Sequence, residues 1–230
     1  MTESMIETRA LHLLEIREVI VPGHFVGTKG GHMDAYVQKD KTIADAELLK
    51  GVTGLMSEMV VEEYKPEEID TLVGIAPCSS QLATRMAEHL GDMWRVAPEV
   101  AFAEKVPRLS TREDTPTIEE SLEFKRGFSE RLIGKRVLLV EDVLNTAGSL
   151  IDLRNLAAEV NDIDIKGAVV EFNRSPSKNT SESLGMPLLA LISQEMVNHS
   201  PDDCPMCRQG IPVNTDLGHG AKFLKEQAKK

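Results

Sequence analysis

Cysteine is scarce in this sequence, with three residues among 230, and their spacing is not that of a disulfide framework. An odd number of thiols without such spacing is typical of a reducing compartment, so we expect a cytoplasmic protein. Long apolar runs are also missing, since none approaches the ~20 residues that cross a bilayer. The first residues, including Glu3 and Glu7, lack the basic-then-apolar layout of a secretory signal. We therefore expect no membrane partner.

Positive charge is in deficit as well. The chain has 26 Lys and Arg against 37 Asp and Glu, a net charge of −11. We expect no nucleic-acid partner, because such binding depends on neutralising phosphates over a basic surface. An anionic small ligand would need its basic partners concentrated in one cleft. Two nucleotide-binding motifs are missing too: no Gly-x-Gly-x-x-Gly follows a strand, and GTKGGH at 27–32 lacks the full phosphate-loop spacing.

Strands and helices alternate along the chain, and hydrophobic periodicity sets their type. The predicted helices are 4–18, 45–63, 149–160 and one that follows residue 78 with Ser79 or Ser80 as its N-cap; the predicted strands are 69–76, 96–103, 137–140, 167–172 and 187–192, and 24–37 is strand-like around a Gly-rich turn. This order is typical of an α/β fold with a doubly wound parallel sheet and helices on both faces. The polar stretch 106–124 is too long for an idle connection, so we expect a mobile lid or a disordered excursion there.

The most informative segment is VLLVEDVLNTAGSL, residues 137–150. An apolar strand runs into Glu141 and Asp142, and a turn of small residues then opens a helix. Ligands of parallel sheets bind at the carboxyl ends of the strands. Two carboxylates can accept bonds from vicinal hydroxyls or hold hydrated Mg²⁺, and free helix N-terminal amides suit a phosphate. Hydroxyls beside a phosphate describe a ribose 5-phosphate. The alternative is that the two acids only cap a strand and solvate a turn.

This segment resembles the phosphoribosyl pyrophosphate (PRPP) signature of type I phosphoribosyltransferases, and more of the chain is similar to the orotate branch of that family. The similar segments, in consistent order between residues 10 and 195, are GHFVGTKGGHMDAYV, VGIAPCSSQLAT, FAEKVPR, FKRGFSERLIGKRVLLVEDV and GAVVEFNR. The resemblance implies a type I phosphoribosyltransferase-like sheet with an N-terminal hood, and a homodimer in which a mobile loop closes over the neighbouring site. The expected organisation is a helix and hood at 1–45, a core at 46–195 containing mobile loop 106–124, and a Cys-containing extension at 196–230.

The resemblance also implies roles for individual residues. Glu141 and Asp142 would hold the ribose hydroxyls, and Mg²⁺ would be held through PRPP at Asp142. The other implied PRPP contacts are Asn145, Thr146, Ala147, Gly148 and Ser149 around the 5-phosphate, and Cys78, Ser79 and Lys105 around the pyrophosphate. The implied catalytic residues are Lys105, Arg108 and Asp142. The implied base-binding residues are Lys29 and Arg174, whose guanidinium would pair with the orotate carboxylate.

Several positions depart from the family pattern. Cys78 stands where a lysine is common, Ser110 at the position of a loop histidine, Asn145 where threonine is usual, and Ala147 where glycine is usual. If residue 147 needs a positive φ, alanine costs strain on the order of 1 kcal/mol.

Taken together, the residues predict an orotate-type phosphoribosyltransferase that makes orotidine 5′-monophosphate and pyrophosphate in pyrimidine nucleotide synthesis. Two alternatives remain open: a non-catalytic PRPP-binding regulatory protein on the same fold, and a phosphoribosyltransferase for another base. The cations Lys105, Arg108 and Arg174 favour an enzyme, whereas the lysine missing at 78 and the histidine missing at 110 favour a regulator.

The C-terminal segment HSPDDCPMCRQGIPVNTDLGHG, residues 199–220, contains a Cys-x-x-Cys pair. Cys204 and Cys207, flanked by His199 and His219, have the composition of a tetrahedral structural Zn²⁺ site. The alternatives are a reduced surface dithiol and a tight turn packed on the core.

Overall fold

A computed structural model describes residues 3–27, 30–112 and 115–227, with their side chains except those of residues 3, 4 and 110–119. The helices are α1 (Glu3–Ile16), α2 (Lys39–Ala44), α3 (Ala46–Glu63), α4 (Cys78–Trp94), α5 (Phe128–Arg131), α6 (Gly148–Ala158), α7 (Ser181–Leu184), α8 (Pro205–Arg208) and α9 (Gly220–Gln227). The strands are β1 (Ile20–Val26), β2 (His32–Val37), β3 (Thr71–Ile75), β4 (Glu99–Arg112), β5 (Thr115–Phe124), β6 (Arg136–Leu144), β7 (Asp164–Asn173) and β8 (Leu188–Ser193).

The central sheet has the strand order β5-β4-β3-β6-β7-β8. Every neighbouring pair is parallel except β4 and β5. Strand β3 is buried along its whole length, because helices cover both faces of a parallel sheet. One apolar cluster packs α1, α3 and α4 on one face, and a second packs α6 on the other. The predicted doubly wound α/β fold is therefore confirmed, and each predicted helix and strand has its counterpart.

Strands β1 and β2 form a separate antiparallel two-stranded sheet, as the strand-like ends of 24–37 predicted. We call this pair the hood. After β8 the chain returns to the hood, and His199 pairs with His32 of β2 through two backbone hydrogen bonds of 2.8 Å. The domain boundaries at residues 45 and 195 remain a prediction. Within the residues described, no helix is both long and apolar enough to span a membrane.

Two predicted element boundaries are wrong. Helix α4 begins at Cys78 with Pro77 as its N-cap, so neither Ser79 nor Ser80 caps it. Strand β6 continues to Leu144 instead of ending before Glu141, because β7 pairs with it that far. Its other neighbour, β3, pairs with β6 only as far as Leu139. The two acids therefore lie inside a strand, at the point where one neighbouring strand has already separated.

The segment 106–124 is also different from the expected irregular excursion. It extends β4 and supplies β5, and the two strands pair in unbroken antiparallel register from Ala103 and Phe124 to Arg112 and Thr115. Polar strands of this kind lack the apolar alternation that indicates a strand in a sequence. Closure of this hairpin over a ligand remains a prediction.

Candidate active site

Glu141 is buried at the end of the apolar part of β6. Its carboxylate accepts a hydrogen bond of 2.9 Å from the Ser79 hydroxyl. Gly74 in β3 allows this approach, because a Cβ on it would lie 2.6 Å from the Ser79 backbone. Burial, followed by the charge of Asp142, raises the pKa of Glu141 to about 7, against the opposing effects of Lys39 and Lys105. Near neutral pH this group can therefore either accept or donate a hydrogen bond.

Asp142 is buried beside it and is held from two sides. One carboxylate oxygen accepts the Val143 amide at 2.7 Å, and the other accepts the Lys39 ammonium at 2.9 Å. Burial alone would lower the pKa of Lys39, but the Asp142 carboxylate outweighs it and the net shift is upward. The sequence analysis missed Lys39, which opens α2 directly after the hood. Its only sequence signal is a basic residue following a strand end.

A third carboxyl group, Glu171 of β7, was also missed. It is buried, and the Thr42 hydroxyl donates to it at 2.7 Å. Burial raises the pKa of Glu171 to about 8, and the nearby Asp142 charge adds to the shift. The sequence signal is an acid inside the apolar run GAVVEF, where an unpaired carboxylate is costly to bury.

The raised pKa of Glu171 gives a prediction about stability. Below the ordinary pKa of 4.5 both folded and unfolded chains are protonated, and between 4.5 and about 8 only the folded chain keeps the proton. The free energy of unfolding should therefore fall as pH rises through this window. Glu171→Gln keeps the oxygen that accepts from Thr42, and its stability relative to wild type should increase by up to about 5 kcal/mol as the pH rises from about 5 to 9. Urea unfolding measures this difference, with the exposed Glu159→Gln as control. Parallel profiles for Glu171→Gln and wild type would contradict the prediction.

The turn between β6 and α6 has the form of an anion site. Ala147 has φ 55° and ψ 10°, so the positive φ at which alanine is expected to be strained is present. Helix α6 begins at Gly148, and no side chain caps its N-terminus. Asn145, Thr146, Gly148 and Ser149 are exposed around it. Uncapped amides and the helix dipole together favour a phosphate here.

Arg174 lies next to this turn because the backbone holds it there. Its amide donates to the carbonyl of Leu144 at 2.9 Å. The Asn179 side chain links the carbonyl of Asn145 to the side chain of Asn173, each at 3.2 Å, and so ties the turn to the end of β7. The Arg174 guanidinium contacts two thioether sulfurs, of Met196 at 3.2 Å and of Met33 at 2.9 Å. Burial lowers its pKa, and among the described residues no carboxylate forms an ion pair with it.

A cleft of about 1120 Å³ lies between Lys39, the turn before α6 and Arg174. Asn145, Thr146 and Ala147 line one part of it, and Lys39 and Arg174 line others. Among its described lining residues, four are basic and two acidic; these are Lys39, Lys41, Arg174 and Lys178 against Asp40 and Glu195. The whole chain carries a charge of −11, so basic side chains are concentrated here as an anionic ligand requires.

Comparison with known proteins agrees with this geometry. The family described as phosphoribosyl transferase domain matches residues 41–183, which include α4, β6 and the turn before α6. The chain belongs to the phosphoribosyltransferase family. It is 30% identical over 213 residues to the orotate phosphoribosyltransferase of Caldanaerobacter subterraneus subsp. tengcongensis, covering 91% of this chain and 96% of that relative.

Solved structures share the fold at lower identity. The orotate phosphoribosyltransferase of Francisella tularensis superposes with a TM-score of 0.59 at 16% identity, covering 80% of this chain and 84% of that one. The adenine phosphoribosyltransferase of Trypanosoma brucei, solved with AMP, pyrophosphate and ribose-5-phosphate, gives a TM-score of 0.57 at 13% identity over 92% and 91%. Since enzymes for different bases share this fold, the base must be argued from the site itself.

The two cations expected from the phosphoribosyltransferase loop do not lie together. Lys105 and Arg108 are three positions apart in β4, which has an unbroken register, so their side chains point to opposite faces. Lys105 forms an ion pair of 3.0 Å with Glu120 and is close enough to act on the pKa of Glu141. Arg108 is exposed on the other face. A catalytic role for Arg108 remains a prediction that would require the hairpin to move.

Three other expectations have different outcomes. Cys78 is a half-buried thiol whose pKa is raised by burial and by Asp142, as befits a neutral residue. Lys29, the second predicted base-binding residue, lies outside the described residues. The predicted Zn²⁺ ligands are wrong in part. Cys204 and Cys207 do belong to a group of potential metal ligands, but its other members are His24 and His32. His199 and His219 are not in this group.

Proposed function

We propose that this phosphoribosyltransferase transfers the 5-phosphoribosyl group from PRPP to orotate, giving orotidine 5′-monophosphate and pyrophosphate in pyrimidine nucleotide synthesis. The observation that carries the proposal is the half-buried Arg174 guanidinium, which lines the same cleft as the anion turn before α6 and has no carboxylate partner among the described residues. A carboxylate on the base would supply that partner through two parallel hydrogen bonds. The names of the curated relatives support the same base.

PRPP fits the remaining groups in and beside the cleft. Its 5-phosphate would bind the amides and hydroxyls that open α6, at Thr146, Gly148 and Ser149. Its ribose hydroxyls would bind Glu141 and Asp142. The ligand would also pair with the ammonium of Lys39, which lines the cleft and in the free protein pairs with Asp142 at 2.9 Å.

The reaction forms a bond between a ring nitrogen of orotate and C1 of the ribose while the bond from C1 to a pyrophosphate oxygen breaks. The ring nitrogen releases its proton to solvent, and pyrophosphate leaves with the bonding electron pair. Positive charge develops on the ribose, so residues that fix the ribose and neutralise the leaving group lower the barrier. Asp142 and Glu141 would do the first, and Lys105 would do the second.

Mg²⁺ is the cofactor that the family implies, and the residues fit it. The Asp142 carboxylate offers oxygen donors of the type that Mg²⁺ binds, and it already holds a cation, the Lys39 ammonium. We expect Asp142 to hold Mg²⁺ through PRPP. When bound, the ion supplies charge neutralisation at the pyrophosphate.

Two further parts of the proposal rest on the family and on composition. We propose a homodimer, which light scattering would detect as twice the chain mass. We also propose a cytoplasmic location, in keeping with the odd number of cysteines.

A panel of bases tests the choice of orotate. Purified protein with PRPP and Mg²⁺ is incubated with orotate, uracil, adenine or hypoxanthine, and nucleotide formation is followed by chromatography. We expect nucleotide from orotate alone, because each of the other bases leaves Arg174 unpaired. Comparable turnover of uracil or a purine would overturn the choice of base while leaving the family intact.

We expect the hairpin of β4 and β5 to become resistant to protease when PRPP and Mg²⁺ bind. Closure over the pyrophosphate would bring Lys105 onto it and restrict the backbone around Arg108. Limited trypsin digestion reports this, since both residues are exposed cleavage positions. Cleavage there should slow about tenfold, while cleavage after Arg95, outside the hairpin, is the internal control. Equal slowing at both positions, or at neither, would count against closure.

A further inference from the structure

We propose that His24, His32, Cys204 and Cys207 bind one Zn²⁺ ion that fastens the C-terminal extension to the hood. The ligand atoms of these four residues all lie within 4.8 Å of one another. His24 and His32 come from the two strands of the hood, whereas Cys204 precedes α8 and Cys207 lies within it. The inference does not depend on which base the protein uses.

The distances between the ligand atoms suit a tetrahedral ion. Zn²⁺ at about 2.0–2.1 Å from nitrogen and 2.3 Å from sulfur places its ligands roughly 3.3–3.8 Å apart. Cys204 Sγ lies 3.6 Å from His24 Nε2, and Cys207 Sγ lies 3.7 Å from His24 Nε2 and 3.2 Å from His32 Nδ1. The two ring nitrogens are 2.8 Å apart, so the ion needs them to separate by about half an ångström.

The surroundings prepare His24 as a ligand. The Nδ1–H of His24 donates to the carbonyl of Ile211 at 2.7 Å, which leaves the lone pair of Nε2 directed at the cluster. His32 is buried and its ring packs edge-to-face on Phe223 of α9 at 4.8 Å. Cys204 is buried as well, and Cys207 is the ligand exposed to solvent. Two thiolates and two imidazoles in a tetrahedral arrangement select Zn²⁺ among the common divalent ions.

The ion would reinforce an attachment that backbone hydrogen bonds already make between the extension and the hood. Cys204 is the N-cap of α8 and Cys207 lies within it, and this helix of four residues is too short to be stable alone. Backbone bonds from Asn214 to His24 at 2.7 Å and from His219 to Val26 at 2.8 Å continue the same attachment along β1. Met33, the residue after His32, contacts Arg174. The ion would thus also fix one wall around the guanidinium.

Metal analysis of untagged protein purified without chelator is the direct test. We expect about one zinc per chain in wild type and at least a tenfold loss in the Cys204→Ser, Cys207→Ser double variant. His24→Gln should lose zinc likewise, and His199→Gln, whose backbone pairing with His32 is unaffected, should retain it. Wild type with well under one zinc per chain, or equal loss in His199→Gln, would overturn the proposal.

Two further measurements guard against misfolding of the variants. Co²⁺ added to metal-free wild-type protein should give the intense visible absorption bands of a tetrahedral thiolate site. The absence of these bands would overturn the assignment. The third measurement rests on the proposed function: metal-free wild type should show a several-fold higher KM for orotate, with the KM for PRPP less affected. Zinc content is measured without turnover, so failure of the metal site and failure of the orotate assignment are distinguishable.

Discussion

Replacing Arg174 with leucine is expected to raise the KM for orotate by roughly 30-fold or more, because truncating one partner of a buried charged pair costs about 2–5 kcal/mol. The KM for PRPP should change little, since the nearby anion turn is held by the Asn179 side chain and by the Arg174 backbone amide, and neither contact involves the guanidinium. The preference for orotate over uracil should shrink, because uracil has no carboxylate and forms no ion pair with Arg174 in wild type. Steady-state kinetics with both bases measures these effects.

Two further variants serve as comparisons, one at Arg174 and one at an exposed arginine elsewhere. Arg174→Lys keeps the charge without the planar fork, so its KM for orotate should lie between those of wild type and Arg174→Leu. Arg131→Leu removes an exposed arginine of α5 and should leave both KM values unchanged. A proportional rise in the KM values of orotate and PRPP in Arg174→Leu would show that the guanidinium supports the cleft in general and does not select the base.

Asp142→Asn is expected to weaken PRPP binding by about 10- to 100-fold, since charge-assisted hydrogen bonds contribute roughly 1.5–3 kcal/mol each. The substitution keeps the size of the side chain and an oxygen that can accept from Lys39 or from Val143. The fold should therefore survive, and thermal unfolding would verify this. Calorimetric titration of PRPP in Mg²⁺ gives the affinity.

The matched control for this variant is Asp152→Asn, which removes the same charge from an exposed position on α6. It separates the local effect of Asp142 from the change in net charge, which by itself would favour an anionic ligand. An unchanged dissociation constant in Asp142→Asn would remove this carboxylate from the PRPP site. That result would also contradict the proposed contact between the ribose and β6.

Local sequence rules predicted the sheet and the anion turn. They failed where contacts with residues distant in the sequence determine a strand end or a side-chain partner. The strand and helix periodicities around 137–160 are local, so β6 and α6 were predicted, and the resemblance drew attention to residue 147. The end of β6 was misplaced because pairing with β7, which the sequence does not reveal, carries the strand past Glu141. Ser79 matched a helix-capping pattern, but its hydroxyl donates to a carboxylate 62 residues away.

The metal ligands show the same limit. The Cys-x-x-Cys spacing is visible in the sequence, and the nearest histidines were the natural partners to propose. The structure instead brings His24 within reach of Cys204 across 180 residues. Lys39 and Glu171 carry weak local signals for the same reason, since the hydrogen-bond partner of each comes from a distant strand or helix.

The central claim is that this phosphoribosyltransferase joins orotate to the ribose of PRPP, and product stoichiometry tests it most directly. Wild-type protein is mixed with PRPP, orotate and Mg²⁺, and orotate, orotidine 5′-monophosphate and pyrophosphate are quantified over time. We predict that one nucleotide and one pyrophosphate form for each orotate consumed, and that neither forms without PRPP. Tight PRPP binding with no consumption of orotate would contradict the claim and favour a regulatory protein on the same fold.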